Sequence, residues 1–461
     1  MMKGRKERIT LIGAGLAGSL LGIDLARRGF SVEIFERRPD MRVTEIPAGR
    51  SINLALSTRG IHALEEAGVF DAISPLTIPM KGRMIHTGKG ECTFLPYGRD
   101  ETEVIHSVSR GTLNRTLMDA AENHGVEIHF DERCTGIDFE RGQLFFRQEV
   151  TGDAWSTFAD RVIGTDGSAS AIRAAMLKIP RFDFEQSYLP YGYKELTIPP
   201  GEGGGWRIER EALHIWPRRS FMLIALPNLD GSFTATLFLP FEGETSFEAL
   251  DSPEGVKRFF ETHFPDAVVH LPHLVEEFFG NPTGTLVTIR ARPWHVRDRA
   301  LLLGDAAHAI VPFFGQGMNC AFEDCTVLGS LIERYHPDWG TIFARYSAER
   351  KKDTDAIADL ALENFVEMRD SVADPHFHLK KGVERRLAEH FPEAFIPRYT
   401  LVTFRRIPYS EAKRRGEIQE RLLEDLTAGI ERPEEVDLKR ARRLIRRRLK
   451  GFVNPPAGRE G

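Results

Sequence analysis

The chain has 461 residues, of which 41% are hydrophobic and 28% are charged, and its formal net charge is −5 at pH 7. This length and composition predict a soluble globular protein of two or three domains with a large buried core. The slightly acidic balance argues against broad electrostatic binding to nucleic acid.

The cysteine pattern and the apolar runs indicate where such a chain works. No cysteine belongs to a C-x-x-C pair or lies among clustered histidines, so we expect no metal site. No apolar stretch approaches the roughly 18 to 20 residues that cross a bilayer, and the basic N-terminus lacks a cleavage site. We therefore expect a cytoplasmic, soluble protein without a transmembrane segment, with buried thiols in a reducing compartment at Cys92, Cys134, Cys320 and Cys325.

The first predicted elements form a βαβ unit. An apolar strand leads into a G-x-G-x-x-G motif at Gly13, Gly15 and Gly18, a helix follows, and a second strand ends at Glu36. Gly13 permits the tight turn, Gly15 lets a pyrophosphate approach the backbone, and Gly18 lets the helix pack close to the sheet. Glu36 stands where a carboxylate can accept hydrogen bonds from adenosine ribose hydroxyls. The unit therefore predicts dinucleotide binding.

Two later segments each combine a strand, a glycine-aspartate pair and a helix. VIGTDGSASAIR carries Asp166, and RALLLGDAAH carries Asp305. An aspartate at a strand end can accept a hydrogen bond from a ribityl hydroxyl, and a helix beginning near Gly317 would point its positive end at the flavin pyrimidine. This combination favours FAD over NAD. The alternative is a plain strand–turn–helix in which Asp305 only caps the helix.

The middle and the C-terminal part of the chain differ in pattern. Residues 182–290 contain short apolar runs separated by Gly, Pro, Asn and Asp, which predicts an antiparallel sheet. From Thr341 onward, long helical patterns dominate. The basic stretch 437–456 is too short and too charged to span a membrane. We prefer a helix packed on the protein, with contact to an anionic membrane surface as the alternative, and we expect the tail after Phe452 to be poorly ordered.

The glycine motif and the two aspartate segments together resemble the group A flavoprotein monooxygenases. Arg110, in SRGTLNRTLM, resembles an arginine that touches the flavin in that family. Longer strings, found between Ile9 and roughly Tyr409, resemble the kynurenine 3-monooxygenases within it: FERRPDMR, AGRSINLALSTRG, SVSRGTLNRTLMDAAE, QSYLPYGYKELTIP, HIWPR, FMLIALPN and TLFLPFEG. Such strings are far more specific than a glycine motif.

The resemblance implies an α/β fold with a Rossmann-type FAD-binding domain, an antiparallel β-sheet substrate domain and a helical C-terminal region. We place the first at residues 1–180 with 285–345, the second at 181–284 with about 76–104, and the third at 346–461. No second Rossmann unit is visible, because the GEGGG cluster follows two prolines and is typical of a loop. NADPH is therefore expected to dock transiently on the FAD-binding domain.

The resemblance also implies the reaction. NADPH would reduce a tightly bound FAD, O2 would then give a C4a-hydroperoxide, and its distal oxygen would convert L-kynurenine to 3-hydroxykynurenine. This step belongs to tryptophan catabolism by the kynurenine pathway, towards quinolinate and pyridine nucleotide biosynthesis. Because the substrate amino group activates the ring, the protein has to bind, orient and exclude water, and no strong base is required. We interpret His308, beside the second aspartate segment, as a structural residue.

The resemblance assigns the remaining residues. Arg83 and Tyr97 would hold the kynurenine carboxylate, Asn364 and Tyr399 would add polar contacts, and Gln316 would face the substrate carbonyl. The aromatic slot would be formed by Phe238, Pro312, Phe313 and Met368. The cofactor contacts would be Gly13, Gly15, Leu16, Ala17, Gly18, Glu36, Arg37, Arg38, Ala55, Arg110, Asp166, Asp305, Gly317, Met318 and Asn319.

Each substrate residue has an ordinary structural alternative. Arg83 would then be a surface arginine, Asn364 a solvated helix residue, and Tyr97, Phe238 and Phe313 members of the core. Two alternatives for the whole chain also stay open: another FAD-dependent aromatic hydroxylase on the same scaffold, or a non-enzymatic flavin-binding module. The sequence leaves open a homodimer and the preference for NADPH over NADH.

Overall fold

The computed structural model describes residues 6–44, 53–88, 90–98, 102–370 and 375–450, with the side chains of residues 368–370 and 375 left outside the description. Within these ranges the strands are β1 (Arg8–Ile12), β2 (Ser31–Phe35), β3 (Asn53–Leu56), β4 (Thr77–Met80), β5 (Gly82–His86), β6 (Cys92–Pro96), β7 (Ile105–Ser109), β8 (Glu127–His129), β9 (Glu132–Asp138), β10 (Gln143–Gln148), β11 (Ala154–Phe158), β12 (Val162–Gly164), β13 (Asp183–Ile198), β14 (Ala212–Arg218), β15 (Phe221–Pro227), β16 (Phe233–Pro240), β17 (Gly284–Arg292), β18 (His295–Val296) and β19 (Ala300–Leu302).

The longest helices of the same ranges lie in the C-terminal part of the chain, as the sequence pattern predicts. They are α1 (Leu16–Arg27), α2 (Thr58–Glu66), α3 (Phe70–Ile73), α4 (Arg110–Asn123), α5 (Ala171–Met176), α6 (Pro253–His263), α7 (Pro265–Val268), α8 (Leu274–Gly280), α9 (Asp305–His308), α10 (Gly317–Tyr335), α11 (Trp339–Asp370), α12 (Pro375–His390), α13 (Arg398–Thr403), α14 (Tyr409–Thr427) and α15 (Leu438–Arg448). Among the helices of the described ranges, none is both long and apolar enough to cross a membrane.

A mostly parallel six-stranded sheet carries the glycine motif. Its order is β18-β19-β12-β1-β2-β8, and the pair β18–β19 is antiparallel. Leu11 lies between Ile34 and Ile163 in register, and all three side chains are fully buried. Such continuous apolar runs are typical of parallel strands that helices cover on both faces. The carboxyl ends of these strands meet at one edge, where α/β proteins bind nucleotides.

A seven-stranded sheet stands opposite that edge. Its order is β17-β13-β16-β15-β14-β5-β6, and its pairs are antiparallel except for the parallel pair β14–β5. Side chains alternate between its faces. One face packs on α6, α7 and α8 through buried residues such as Leu237 and Phe260. The other face, which carries Thr236 and Phe238, borders a large cavity.

Two three-stranded sheets and the C-terminal helices complete the described part. The sheet β3-β7-β4 leads into α4, and the sheet β9-β10-β11 lies beside α5. The helix α15 buries Ala441 and Ile445, and Leu449 directly after it, against α12 and α14. This packing agrees with the preferred interpretation of the basic stretch, whereas its last residues and the expected disordered tail lie outside the described residues.

Two expectations differ from the structure. Cys92 is exposed on the edge strand β6, and the other three cysteines are buried as expected, because an edge strand has no neighbour to cover its outer side. The strand β17 pairs with β13 along most of its length, so the expected boundary at residue 284 falls inside the seven-stranded sheet. The sequence does not reveal this pairing, because the two strands are separated by almost a hundred residues.

Candidate active site

The glycine turn after β1 has the geometry that a phosphate cradle requires. Gly13 has a φ of +102°, and a Cβ on Gly18 would lie 2.0 Å from the carbonyl oxygen of Gly13. Both positions therefore exclude a side chain, the first by conformation and the second by close packing. A Cβ on Gly15 would instead meet open space. That space, at the N-terminus of α1, is where free backbone N–H groups can bind an anion.

Glu36 lies at the end of β2 with only 4% of its surface exposed. Its Oε2 accepts a hydrogen bond of 2.8 Å from the backbone N–H of Ala14. Its Oε1 accepts from the backbone N–H and Nε of Arg38, at 3.0 and 2.9 Å. These donors hold the carboxylate at the cavity wall in one orientation, ready to accept from vicinal hydroxyls.

Asp166 follows β12 and is half-buried. Its Oδ2 accepts a 2.7 Å hydrogen bond from the backbone N–H of Ala171, at the start of α5. Its Oδ1 is buried and has no hydrogen-bond partner among the described residues. Burial raises the pKa of Asp166, against the hydrogen bonds from Ser170 and Ala171. An orphaned carboxylate oxygen at the cavity wall fits a ligand that brings a donor.

Asp305 and α10 face the same cavity. Gly304, with a φ of +63°, turns the chain from β19 into α9, and Asp305 at the first position of that helix is exposed to the cavity. The backbone of Gly317 and Met318 opens α10 at the cavity wall. Asn319 lies behind that wall, where its amide bonds the backbone of Ser57, Ala55 and Gly315.

One cavity of about 850 Å³ joins these elements. It runs from the glycine turn to the seven-stranded sheet, and most of the predicted cofactor and substrate residues line it, whereas Gly18 and Asn319 do not. Those lining it are Gly13, Gly15, Leu16, Ala17, Glu36, Arg37, Arg38, Ala55, Arg83, Tyr97, Arg110, Asp166, Phe238, Asp305, Pro312, Phe313, Gln316, Gly317, Met318 and Tyr399.

Arg83 lies beside two phenol rings at one end of the cavity. Its guanidinium carbon is 4.4 Å from the ring centre of Tyr399 and 5.3 Å from that of Tyr97. The rings of Tyr97 and Tyr399 stack on each other, with their centres 5.6 Å apart and an angle of 12° between their planes. Burial lowers the pKa of Arg83, but the two phenol groups outweigh it and the net pKa lies above its usual range. Arg83 is therefore a buried cation.

The polar atoms of this cluster are left unsatisfied. Arg83 Nε and the Tyr97 hydroxyl are both buried and have no hydrogen-bond partner among the described residues. Burial also raises the pKa of Tyr97, which keeps its hydroxyl protonated. Two buried donors without acceptors cost free energy, so the cluster fits an incoming anion such as a carboxylate.

Aromatic rings form the neighbouring wall. The ring centres of Phe238 and Phe313 lie 5.0 Å apart, and Phe365 stacks on Phe313 at 4.3 Å with 29° between planes. Phe314 stacks on Tyr399 at 5.4 Å. A flat, apolar slot beside a buried cation suits an aromatic ring that carries an acidic group.

Three predicted substrate residues stand apart from this arrangement. Asn364 donates a 2.7 Å hydrogen bond to the backbone oxygen of Phe313, so it supports the slot. The Gln316 side chain lies between Ser57 Oγ at 3.3 Å and the hydroxyl of Tyr409 at 2.9 Å. The side chain of Met368 lies outside the described residues.

Sequence reasoning overlooked several residues around the slot. Phe314 and Phe365 stack there, and Tyr409 holds Gln316 from α14. Glu367 on α11 pairs with Lys381 at 3.1 Å, and its charge reaches Arg83. Only the FF pair after Pro312 was visible as a local signal, because helices far apart in the chain bring the other side chains together.

His308 belongs to a buried ionic network behind the cavity. Its Nε2 lies 2.6 Å from Oδ2 of Asp324, which also accepts from the N–H of Gly304, while Oδ1 pairs with Arg350 at 2.7 Å. His308 and Asp324 are close enough to Cys320 for a metal ion to touch all three. Arg350 already supplies the positive charge that the Asp324 carboxylate needs, so this geometry serves to anchor α10 and α11.

The residues at the Rossmann edge fit FAD. The open space at Gly15 suits a pyrophosphate, and Glu36 suits the adenosine ribose. Asp305 and the orphaned Asp166 oxygen offer acceptors for hydroxyl groups between that end and α10. The first-turn amides of α10 offer donors at the far end.

Comparison with known proteins agrees with this geometry. A family model described as an FAD binding domain matches residues 6–361. A protein of Myxococcus xanthus (strain DK1622), named kynurenine 3-monooxygenase, is 52% identical over 458 residues, which cover 99% of this chain and 98% of that protein. A Flavobacterium psychrophilum protein with the same name is 46% identical and covers 92% of this chain and 94% of its own length.

Solved structures show the same fold at lower identity. The tetrameric form of 2-methyl-3-hydroxypyridine-5-carboxylic acid oxygenase matches with a TM-score of 0.64 and 20% identity, covering 81% of this chain and 95% of that one. PqsL of Pseudomonas aeruginosa, in complex with 2-aminobenzoylacetate, matches with a TM-score of 0.63 and 21% identity, covering 79% and 97%. At such identities the likeness establishes the fold alone.

Proposed function

The chain belongs to the kynurenine 3-monooxygenase family of FAD-binding proteins, and from this premise we propose that it hydroxylates L-kynurenine to 3-hydroxykynurenine with NADPH and O2. The observation that carries the proposal is the buried Arg83 cation with two phenol groups, next to an aromatic slot, in the same cavity as the FAD-binding edge. L-kynurenine combines an amino-acid carboxylate with a flat aminophenyl ketone, which matches these two features in order.

FAD, when bound, accepts hydride from NADPH and activates O2 for transfer to the substrate ring. Gly15 and the N-terminus of α1 would hold its pyrophosphate, Glu36 its adenosine ribose and Asp305 its ribityl chain, with the start of α10 at its pyrimidine end. Asp166 would accept from a further hydroxyl group.

Arg83 has the main binding role in this proposal. A guanidinium can donate two parallel hydrogen bonds to a carboxylate, and burial strengthens them. The Tyr97 hydroxyl donates a third, because it has no other partner among the described residues. Tyr399 covers the guanidinium from α13, so the C-terminal helices close this end of the cavity.

The chain also orients the substrate ring and excludes water from the site. Phe238 and Phe313 fix the plane of the substrate ring, and Phe365 backs Phe313. Asn364 holds the backbone of Phe313, so that its proposed contribution is indirect. An apolar wall excludes water, which would otherwise divert the activated oxygen to hydrogen peroxide.

The test is turnover of the purified holoenzyme. We expect NADPH oxidation to rise on addition of L-kynurenine, with 3-hydroxykynurenine identified by mass. Stimulated oxidation that gives only hydrogen peroxide would overturn the proposal. Stimulation by phenolic acids without a response to kynurenine would favour another hydroxylase of this fold, and a yellow protein that oxidises no NADPH would favour a flavin-binding module.

The same proposal includes the organisation of the chain. We propose an FAD-binding domain from 1–180 with 285–345, a substrate domain from 181–284 with about 76–104 and a helical region from 346–461. The strand β17 begins at the boundary between the first two domains and pairs with the substrate sheet. We also propose a soluble, cytoplasmic enzyme that forms a homodimer. Light scattering during gel filtration would measure its mass, and a monomer at micromolar concentration would contradict the dimer.

A further inference from the structure

Glu195 on β13 is a buried carboxylate without a partner. Only 7% of its surface is exposed, and its carboxylate accepts no hydrogen bond from the described residues. In the antiparallel register it lies directly opposite Thr236, whose side chain lines the cavity. Directly opposed residues point to the same face of a sheet, so Glu195 faces the cavity side together with Tyr193, two residues before it.

Burial of such a carboxylate lowers the stability of the folded protein. A carboxylate that loses water without compensating hydrogen bonds is penalised far more than a neutral polar group, and it responds by a rise in its pKa. Burial raises the pKa of Glu195 to about 7, against the charge of Arg110 on α4. Burial and the same carboxylate raise the pKa of Tyr193. Strongly perturbed acids in clefts are concentrated at functional sites.

The corner formed by Arg110, Tyr193 and Glu195 is far from the substrate clamp. In the sheet, β13 is four strands from β5, which carries Arg83. At about 4.8 Å between neighbouring strands, the two positions are roughly 19 Å apart. The carboxylate that Arg83 would hold is therefore remote from the corner, whereas Tyr193 lies opposite Phe238 of the aromatic slot, with ring centres 6.3 Å apart.

Apart from Arg110, which the resemblance assigns to the flavin, the corner is distinct from the FAD-holding residues. Glu36, Asp166 and Asp305 follow strands of the six-stranded sheet, whereas Glu195 belongs to the opposite wall. The reaction has a second dinucleotide, NADPH, and the described part of the chain has one glycine-turn nucleotide fold. The GEGGG cluster forms a short 3-10 turn between β13 and β14, outside any strand–loop–helix unit.

We propose that the Arg110–Tyr193–Glu195 corner docks the nicotinamide half of NADPH, with Glu195 accepting hydrogen bonds from the ribose hydroxyls or the carboxamide N–H. The inference rests on the proposed function. A carboxylate is the usual acceptor for a ribose diol, and the exposed guanidinium of Arg110 at the cavity wall supplies the charge that a diphosphate needs. The substrate clamp and the dinucleotide site then share one cavity from opposite ends.

The experiment compares Glu195→Gln with Glu185→Gln in the holoenzyme. Glu185 lies on the same strand, is exposed and accepts only from Ser187, so its substitution is the matched control. For Glu195→Gln we expect the KM for NADPH to rise about tenfold, while the Kd for kynurenine and the Kd of the apoprotein for FAD stay unchanged. An unchanged KM for NADPH, or a weakened Kd for FAD, overturns the inference.

A pH series and a binding assay without turnover sharpen the comparison. Because the ionised form of Glu195 is the better acceptor, the KM for NADPH of the wild-type and control proteins should fall as pH rises through about 7. Glu195→Gln should lack this fall, and the titration of the cofactor phosphate cancels because it is common to all three proteins. Calorimetric titration of each holoenzyme with tetrahydro-NADPH, which cannot donate hydride, should show the same tenfold loss; equal affinities contradict the proposal.

Folding of the variant is checked by melting temperature. The raised pKa of Glu195 means that the folded state loses stability as pH rises from the unfolded value towards 7, so Glu195→Gln should melt higher than wild type at pH 8 and equally at pH 5. A stable variant with normal NADPH binding refutes the docking site. Absence of kynurenine-stimulated oxidation in the wild-type protein instead refutes the proposed function, so the two failures are distinguishable.

Discussion

We expect the side chain of Arg83 to make a large contribution to the affinity for kynurenine. Because it is a buried cation packed against two phenol rings, its replacement by Ala should weaken kynurenine binding by about 2–5 kcal/mol. The flavin absorbance change on titration with kynurenine gives the Kd. Arg141→Ala, at a guanidinium that is 76% exposed, is the control and should change nothing. Unaltered kynurenine affinity in Arg83→Ala would remove Arg83 from the site.

Alanine substitutions at Gly15 and Gly18 should impair different properties of the protein, the first its FAD affinity and the second its stability. In Gly15→Ala the new methyl group meets open space in the protein, so the apoprotein should keep its stability and lose about tenfold, or ~1.4 kcal/mol, in FAD affinity. In Gly18→Ala the methyl group lies 2.0 Å from a backbone oxygen, and overpacking should lower apoprotein stability by about 1–3 kcal/mol.

Fluorescence titration with FAD and urea unfolding of the apoproteins measure the two effects. Gly280→Ala, where a methyl group also meets open space but far from the turn in sequence, serves as the control. A Gly15→Ala protein that binds FAD normally would mean that the pyrophosphate lies elsewhere.

The sequence predicted the roles of those residues that depend only on their neighbours along the chain. The glycine turn and Glu36 are defined within one βαβ unit, and the structure has that unit. The positions of Asn364 and Gln316 were not predictable, because their side chains can turn towards a ligand or towards the protein. Tertiary partners, the backbone of Phe313 and the hydroxyl of Tyr409, decide the direction.

Among the elements, α15 combines six arginines and a lysine with one apolar side. Since Ile445 is 2% exposed and packs on α12 and α14, that side is not available to a membrane in this conformation. We expect no co-flotation of the protein with anionic liposomes at low salt. Flotation that disappears at high salt would establish surface binding instead.

The same helix can be tested by stability. Ile445→Ala should lower the free energy of unfolding of the C-terminal helices by about 2–5 kcal/mol, through the lost burial and the cavity left behind. Proteolysis between α14 and α15 would detect the loosening, and Arg446→Ala, on the exposed side, should behave as wild type.

Elements that depend on a local sequence pattern were predicted, whereas the pairing of strands distant in the chain was not. The strand β2 ends directly before Glu36, as the predicted βαβ unit requires, and α1 opens directly after Gly15. The antiparallel middle region was predicted from its short apolar runs, which are separated by turn residues. The parallel pair β5–β14 was not, because a local pattern carries no information on which distant strand becomes a neighbour.

Across the whole molecule, the network of His308, Asp324 and Arg350 joins the strand end that carries Asp305 to α10 and α11. Burial raises the pKa of Asp324, but the charges of His308 and Arg350 outweigh it and the net pKa is lowered. The stability that depends on this carboxylate is therefore present above its ordinary range and is lost as pH falls through the lowered pKa.

Asp324→Asn should accordingly cost about 3–5 kcal/mol at pH 7, because Arg350 is left as a buried, incompletely paired cation. The loss of stability between pH 5 and pH 3 should become shallower in the variant. Urea midpoints across this range measure both effects. Asp298→Asn, at a side chain that is 59% exposed, is the control, and an equal pH dependence in all three proteins would contradict the role of Asp324.

The order of the binding residues along the chain has a consequence for biosynthesis. Every residue proposed to hold FAD precedes the end of α10 at Tyr335, whereas Tyr399, which covers Arg83, follows about 64 residues later. A ribosome adding 5–20 residues per second needs roughly 3–13 s for that interval. The nascent chain therefore contains every residue proposed to hold the flavin several seconds before the tyrosine that covers the substrate cation has been synthesised.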